Sequence, residues 1–224
     1  MGLGNVLVLS QVTGYLLLFI ISFFLFIPLG SNQSQFLGHC LLFASGTWNE
    51  THDEITVSFG PDSGCDFSIF LGCVTCIASF FYFIWMSVHL YKDREPSWLT
   101  AFGAVLVSGT ATVMTFASSI TLSSGFSHWC NVITNNGARD SCEDSSFGDI
   151  KISNYPDIKT SGYFVQFGMA QFASWAVFLC WLVQAVMCGY QLYKYNRLEN
   201  FLVSMNRERE RLIQKVNPNR PTTI

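Results

Sequence analysis

The side chains with most chemical scope in this sequence are its eight cysteines. Cys73-x-x-Cys76 has the spacing of a dithiol redox pair, in which a low-pKa thiolate attacks a disulfide. A working pair of that kind follows a strand in a soluble thioredoxin-like unit. Here the motif lies one helical turn apart inside an uninterrupted apolar run, Phe67–Tyr91. Thiols acting as small buried hydrophobes are therefore the reading adopted. Cys180 and Cys188 sit in another such run and are read the same way. Cys40, Cys65, Cys130 and Cys142 instead lie in or beside polar stretches. An even set so placed reads as two disulfides in an oxidising compartment. Three pairings are open, and Cys40–Cys65 with Cys130–Cys142 is favoured because each closes a local loop.

Other chemistry is sparse. His39 beside Cys40 and His128 near Cys130 have the types of a zinc site but not the spacing of a zinc module. Asp140, Glu143, Asp144 and Asp149 are acidic without an EF-type loop and read as a solvated surface. No nucleophile elbow, phosphate-cradling loop or metalloprotease helix is found. No catalytic residue, metal ligand or cofactor is assigned, and the chain is expected not to be an enzyme. Nucleic acid and small-molecule substrates are not expected either. Two glycosylation sequons, Asn32-Gln33-Ser34 and Asn49-Glu50-Thr51, are present; Asn49 is the preferred acceptor because Asn32 falls close to an apolar run.

The elements that must position these groups follow from composition. Half of the 224 residues are hydrophobic, 21 are Phe, and only 12% are charged, against about one-quarter charged in a soluble chain. The charges are segregated, leaving apolar runs at Val6–Pro28, Phe67–Tyr91, Trp98–Ser123 and Tyr163–Tyr190. Each is long enough to span a bilayer as a helix, which takes about 20 residues. The first run lacks the basic leader of a cleaved signal peptide and is read as a span. Lys92 and Arg94 lie in the short link between the second and third runs, and seven further Lys and Arg follow Tyr193. The two long loops, 29–66 and 124–162, hold only Arg139, Lys151 and Lys159. This bias places both termini in the cytoplasm and the long loops outside. The expected fold is an all-α membrane protein: a four-transmembrane-helix bundle, N-in/C-in, with a small disulfide-held β-hairpin extracellular region, at the plasma membrane. Residues 1–193 form the four-span domain and 194–224 a cytoplasmic amphipathic tail.

Within the first loop, Cys40-Leu41-Leu42-Phe43-Ala44 is read as one strand and Glu54–Phe59, with alternating Ile55, Val57 and Phe59, as the other. Ser45–Asn49 and the following acids are read as the connecting turn. The second outer loop is expected to begin at Gly125-Phe126. In the third run, Ala104, Ser108, Ala111, Thr115 and Ser118 recur at helical spacing, and the fourth carries Gln171, Ser174 and Gln184. Small and hydroxylated residues let membrane helices approach closely. Packing within the bundle accounts for such a stripe. The sharper expectation is a docking face for another membrane protein, built from Ser108, Thr115, Ser118, Phe126, Trp129, Gln171, Ser174 and Gln184. Beyond Tyr193 an amphipathic helix with Leu198 and Met205 on one face would lie in solvent or on anionic lipid. The terminal Thr222-Thr223-Ile224 has the form of a PDZ ligand, with Thr222 and Ile224 as its determinants.

Several segments taken together resemble the transmembrane protein 179 family. They are Cys40-Leu41-Leu42-Phe43 followed by Trp48, Phe59-Gly60-Pro61 leading to Cys65-x-Phe67-Ser68, and Gly125-Phe126-x-x-Trp129-Cys130-x-x-Ile133-Thr134. Ser141-Cys142-Glu143, Gln166-Phe167, Ala170-Gln171-Phe172 and Trp175 complete the set. The resemblance covers nearly the whole chain and implies a four-span, N-in/C-in protein without a settled biochemical activity; the cytoplasmic end departs most from the family's pattern, so the resemblance lends the tail reading no support. Auxiliary subunits of channels and receptors, and claudin-like proteins, share the topology, although the claudin order of Trp before both loop cysteines is not kept, since Trp48 follows Cys40. Large-pore channels share the span and cysteine counts but carry a longer segment before the first span than is read here. The expected function is that of a non-enzymatic accessory or auxiliary subunit binding a larger membrane protein, a channel or receptor, in cis through spans three and four. The alternatives are a homo-oligomeric large-pore channel and a tetraspan adhesion or trafficking protein. The lipid bilayer and a PDZ protein complete the expected partners.

Overall fold

A computed structural model of the chain describes residues 3–49, 54–92, 98–135, 141–143, 151–155, 158 and 160–216. Four helices dominate it: α1 (Leu3–Gln35), α2 (Ser63–Tyr91), α3 (Trp98–Asn135) and α4 (Tyr163–Val216). All four are long and apolar enough to cross a membrane. Their amphipathicity is weak because lipid and bundle interior are both apolar, so composition by face cannot orient them. Packing does. Neighbours run antiparallel: α1 lies along α2 and α4, α4 lies along α3, and α2 meets α3 over a shorter seam.

The helices outrun the hydrocarbon layer. At 1.5 Å per residue, the 38 residues of α3 extend about 57 Å against about 30 Å of hydrocarbon. The expected exit at Gly125-Phe126 is therefore not a helix end. α3 continues through Trp129 and Cys130 to Asn135, and α1 continues past Pro28 to Gln35.

These extensions carry a three-stranded sheet in the order β1-β2-β3, with β1 at Ser45–Asn49, β2 at Glu54–Ser58 and β3 at Lys151–Ile152. β1 and β2 are antiparallel, pairing Ser45 with Ser58 through Asn49 with Glu54. β3 runs parallel to β2, with Ile55 opposite Ile152. The hairpin is present but its first strand lies one segment later than the sequence suggests. Cys40–Ala44 is not a strand; Ser45–Asn49, read as the turn, is. Leu41 and Leu42 are each 1% exposed, and successive strand residues point to opposite faces. Burying both requires a turn, which Phe43 supplies with φ of 59°. Ala44 N–H then donates to the Leu41 carbonyl at 3.2 Å.

Leu41 and Leu42 enter a core of Leu25, Leu29, Leu122, Trp129 and Phe167 beneath the sheet. A second core near the opposite end joins Val12, Tyr15, Leu18, Met86 and Trp181. The seat for Leu42 depends on Gly125, because a Cβ there would overlap the Leu42 side chain, including its Cβ. Gly125→Val is expected to destabilise the purified protein by about 1–3 kcal/mol through overpacking. Gly109→Ala, whose Cβ meets nothing within 4 Å, serves as control. Melting in detergent should separate the two variants; equal midpoints would contradict the seat.

Candidate functional site

The sheet end is a cap tied to the ends of the helices. Cys40 is bonded to Cys65 and Cys130 to Cys142, with Cα–Cα distances of 5.9 and 5.2 Å. The local pairings are thus the ones formed. The first joins the segment after α1 to the first turn of α2; the second ties the end of α3 to the segment that leads to α4. Polar contacts reinforce both. Cys40 N–H donates to Asp62 Oδ1 at 2.8 Å, and Gln33 Nε2 donates to Asp66 Oδ1 at 2.9 Å. Tyr163 donates its hydroxyl to the Cys142 carbonyl at 3.1 Å, and its ring meets Trp129 edge-on at 6.5 Å. His39 lies flat on Phe59 at 4.9 Å and beside Tyr155, so it is part of the cap's aromatic packing. Among the described residues, no group of three or more His, Cys, Asp or Glu gathers to hold a metal ion.

The stripe expected to face a partner turns inward instead. Ser108, Thr115, Ser118, Ser174, Gln184 and Trp129 are all buried within this chain. Ser108 and Thr115 donate to the carbonyls of Ala104 and Ala111 on their own helix, at 2.7 and 2.8 Å. Ser118 crosses to α2, donating to Ser68 Oγ at 2.9 Å, and Ser68 passes its proton to the Gly64 carbonyl. Ser119 gives its proton to the Thr115 carbonyl, so Ser174 is the donor in the 2.8 Å contact between α4 and Ser119. Half-buried Gln171 donates to Ser123 at 3.1 Å, and Phe126 stacks on Phe167 at 5.3 Å. In a bilayer a hydroxyl or amide left facing hydrocarbon loses its partners, which is why these side chains meet one another. The expectation of an outward docking face through these residues is corrected accordingly: in this fold they hold the helices together.

Asn32 is corrected in the same way. It lies in α1, is 1% exposed, and its Nδ2 donates to Gln166 Oε1 on α4 at 3.0 Å. A glycan would attach at that nitrogen, in packed space. Asn49 ends β1, and its side chain lies outside the described residues, as do Thr222 and Ile224.

One polar cluster has little emphasis in the sequence reading. Buried Gln11 donates from Nε2 to Gln191 Oε1 at 3.1 Å and approaches Cys188 Sγ at 3.6 Å, while Gln184 Nε2 donates to the Gln11 carbonyl at 2.9 Å. The signal for it was Gln11, the lone amide of the first apolar run, together with Gln184 in the fourth. Gln11 Oε1, Gln184 Oε1, Trp129 Nε1 and Trp181 Nε1 are buried with no hydrogen-bond partner among the described residues.

What the chain offers outward is apolar. Phe70, Ile77, Phe81 and Trp85 of α2 are each more than half exposed. Where α2 and α3 diverge, away from the sheet, they leave a groove of about 470 Å³ lined by Phe81, Tyr82, Trp85, Met86, Leu99, Thr100, Gly103 and Ala104.

Two outcomes follow from the cap. Asn32→Gln should leave any glycosidase-sensitive gel shift unchanged while Asn49→Gln removes most of it; loss of the shift with Asn32→Gln would contradict the buried placement. Cys130→Ser should cost about 2–5 kcal/mol of stability and lower delivery to the cell surface, measured by surface biotinylation. Normal delivery of that variant would show that the cap does not depend on the bond.

The family model described as the transmembrane protein 179/179B claudin domain matches residues 7–213. No solved structure matches the chain. The altered order of Trp48 and Cys40 is thus a variation within a claudin-like domain rather than a departure from it. With a match over nearly the whole chain, the protein belongs to the transmembrane protein 179/179B family of claudin-like four-helix membrane proteins.

Proposed function

We propose that this claudin-like membrane protein is a non-enzymatic accessory subunit that binds a larger channel or receptor in cis and tunes its assembly, trafficking or gating. In this reading it sits in the plasma membrane with both termini cytoplasmic and the disulfide-held cap outside. The observation that carries the reading is the groove between α2 and α3. It opens sideways between two membrane-spanning helices, so its natural occupant is another membrane-embedded element. Gly103 lies in its lining, and a Cβ on that residue would meet nothing within 4 Å, leaving room for a bulky side chain from outside. Phe81 and Trp85 supply large apolar walls, the kind of surface on which binding energy concentrates. A single transmembrane helix of the partner, presenting an aliphatic or aromatic side chain over Gly103, fits this shape.

Gly103→Trp fills the groove from within. Purified from cells in mild detergent, the native protein should carry a recurrent, larger membrane protein, and Gly103→Trp should lower its recovery at least about tenfold, equivalent to ~1.4 kcal/mol. Undiminished recovery would place the contact elsewhere. Rings of this chain alone, with large-conductance openings after reconstitution, would replace the accessory reading by that of a pore.

A further inference from the structure

A second groove, on the other side of the bundle, points to a ligand of different chemistry. It runs between α1 and α4, holds about 280 Å³, and is graded in polarity along its length. Because the helices are antiparallel, Ser10 lies opposite Met187, Gly14 opposite Gln184, and Leu17 opposite Cys180 and Leu179. The end nearer the α1 N-terminus is therefore polar, and the end nearer the bilayer centre is walled by Leu17, Leu179 and Val183, which are 52%, 55% and 56% exposed. Ser10 to Leu17 is about 10 Å of helix.

The polar end offers more acceptors than donors. Thr13 is exposed and spends its hydroxyl proton on the Ser10 carbonyl at 2.9 Å, leaving its oxygen as an acceptor. Ser10 Oγ has only the Met187 sulfur at 3.8 Å to donate to. Gln184, 1% exposed, lines the groove and presses its amide onto Gly14, where a Cβ would overlap Nε2. That Nε2 donates to the Gln11 carbonyl, and Gln184 Oε1 is buried with no hydrogen-bond partner among the described residues. Within a bilayer an amide acceptor left unfilled is costly, because no water replaces the missing donor. α1 carries no charged residue, and Lys194 lies about 10 Å beyond Met187 along α4, so among the described residues of these two helices no cation lies beside the groove.

We propose that this groove binds a sterol. The hydroxyl donates its single proton to Thr13 Oγ1, the exposed acceptor, and accepts from Ser10, next to the unfilled Gln184 Oε1, while the ring system lies along Leu17, Val183 and Leu179. A neutral hydroxyl head on a rigid flat body meets both ends of the groove, and rigidity matters because a body with few rotors loses little conformational freedom on a shallow, half-open surface. The site goes beyond the accessory role and does not depend on it, since it lies on a different seam.

The full-length protein, purified and reconstituted in phosphatidylcholine vesicles, is photolabelled with a diazirine analogue of cholesterol and the adducts are mapped to peptides. Labelling should be saturable, should fall on residues 10–17 and 179–187, and should be displaced by cholesterol but not by its 3α-epimer or by diacylglycerol. Leu179→Trp, which fills the apolar end from an exposed position, should abolish the saturable component. Thr13→Val should weaken it by about two- to tenfold, the worth of one hydrogen bond, with melting behaviour unchanged. Label confined to the α2–α3 groove, equal displacement by the epimer, or preference for diacylglycerol would each overturn the assignment. The peptide map on the native sequence decides the matter even if a variant fails to fold.

Discussion

Leu42 presses into the space left by Gly125, and through it the five residues Cys40–Ala44 are held against three helices at once. The disulfide to Cys65 fixes the segment to α2, the Cys40 N–H bond to Asp62 repeats that tie, and the Phe43 N–H reaches the Gly125 carbonyl of α3 at 3.4 Å. Leu41 and Leu42 fill the core that α1, α3 and α4 share beneath the sheet. The turn through Phe43 sets where β1 begins, and that start sets the whole register of the sheet. A one-residue slip would exchange the buried and exposed faces of β2, on which Ile55 and Val57 face the core.

Below the cap the bundle is joined by small polar contacts rather than by ion pairs. Ser118 with Ser68, Ser119 with Ser174, and Gln184 with the Gln11 carbonyl each bridge a different pair of helices. Each such bond contributes only about 0.6 kcal/mol on average in a membrane, so the arrangement depends on several acting with close packing. Turning these groups inward leaves aromatic and aliphatic side chains to the lipid, and grooves remain at the α2–α3 and α1–α4 seams. The seam between α2 and α3 is wholly apolar in its walls apart from Tyr82 and Thr100. The seam between α1 and α4 ends in hydroxyls and an unfilled amide oxygen. The two openings thus differ in chemistry, which is why different occupants are proposed for them.

Much of this was legible in the residues. Four charge-free runs marked four helices, and the cysteines in or beside polar stretches pair locally, Cys40 with Cys65 and Cys130 with Cys142. Glu54–Ser58 alternates and is a strand. Other parts were not legible, for physical reasons. Leu41-Leu42 has the composition of a strand, and only its neighbours Gly125 and Phe43 reveal it as a plug. Gly125-Phe126 resembles a helix end, yet the glycine serves a contact from the side and α3 runs on to Asn135. The Ser108–Ser118 stripe has the spacing of an interface, but periodicity names a face without saying whether its partner is in the same chain. Asn32 satisfies a sequon by sequence and is used up by Gln166 in space. β3 has only two residues, too short to stand out as a strand in the sequence.

The central claim is that the interaction surface of this protein lies at the α2–α3 groove and not along the polar stripe or the outer face of α4. Photo-crosslinking in native membranes tests it directly, with a benzophenone amino acid placed singly at Phe81, in the groove, or at Phe172, which is 78% exposed on α4. The account predicts a discrete adduct from Phe81, larger than two copies of the 25.1 kDa chain, and lipid adducts alone from Phe172. A discrete protein adduct from Phe172 with none from Phe81 would contradict it.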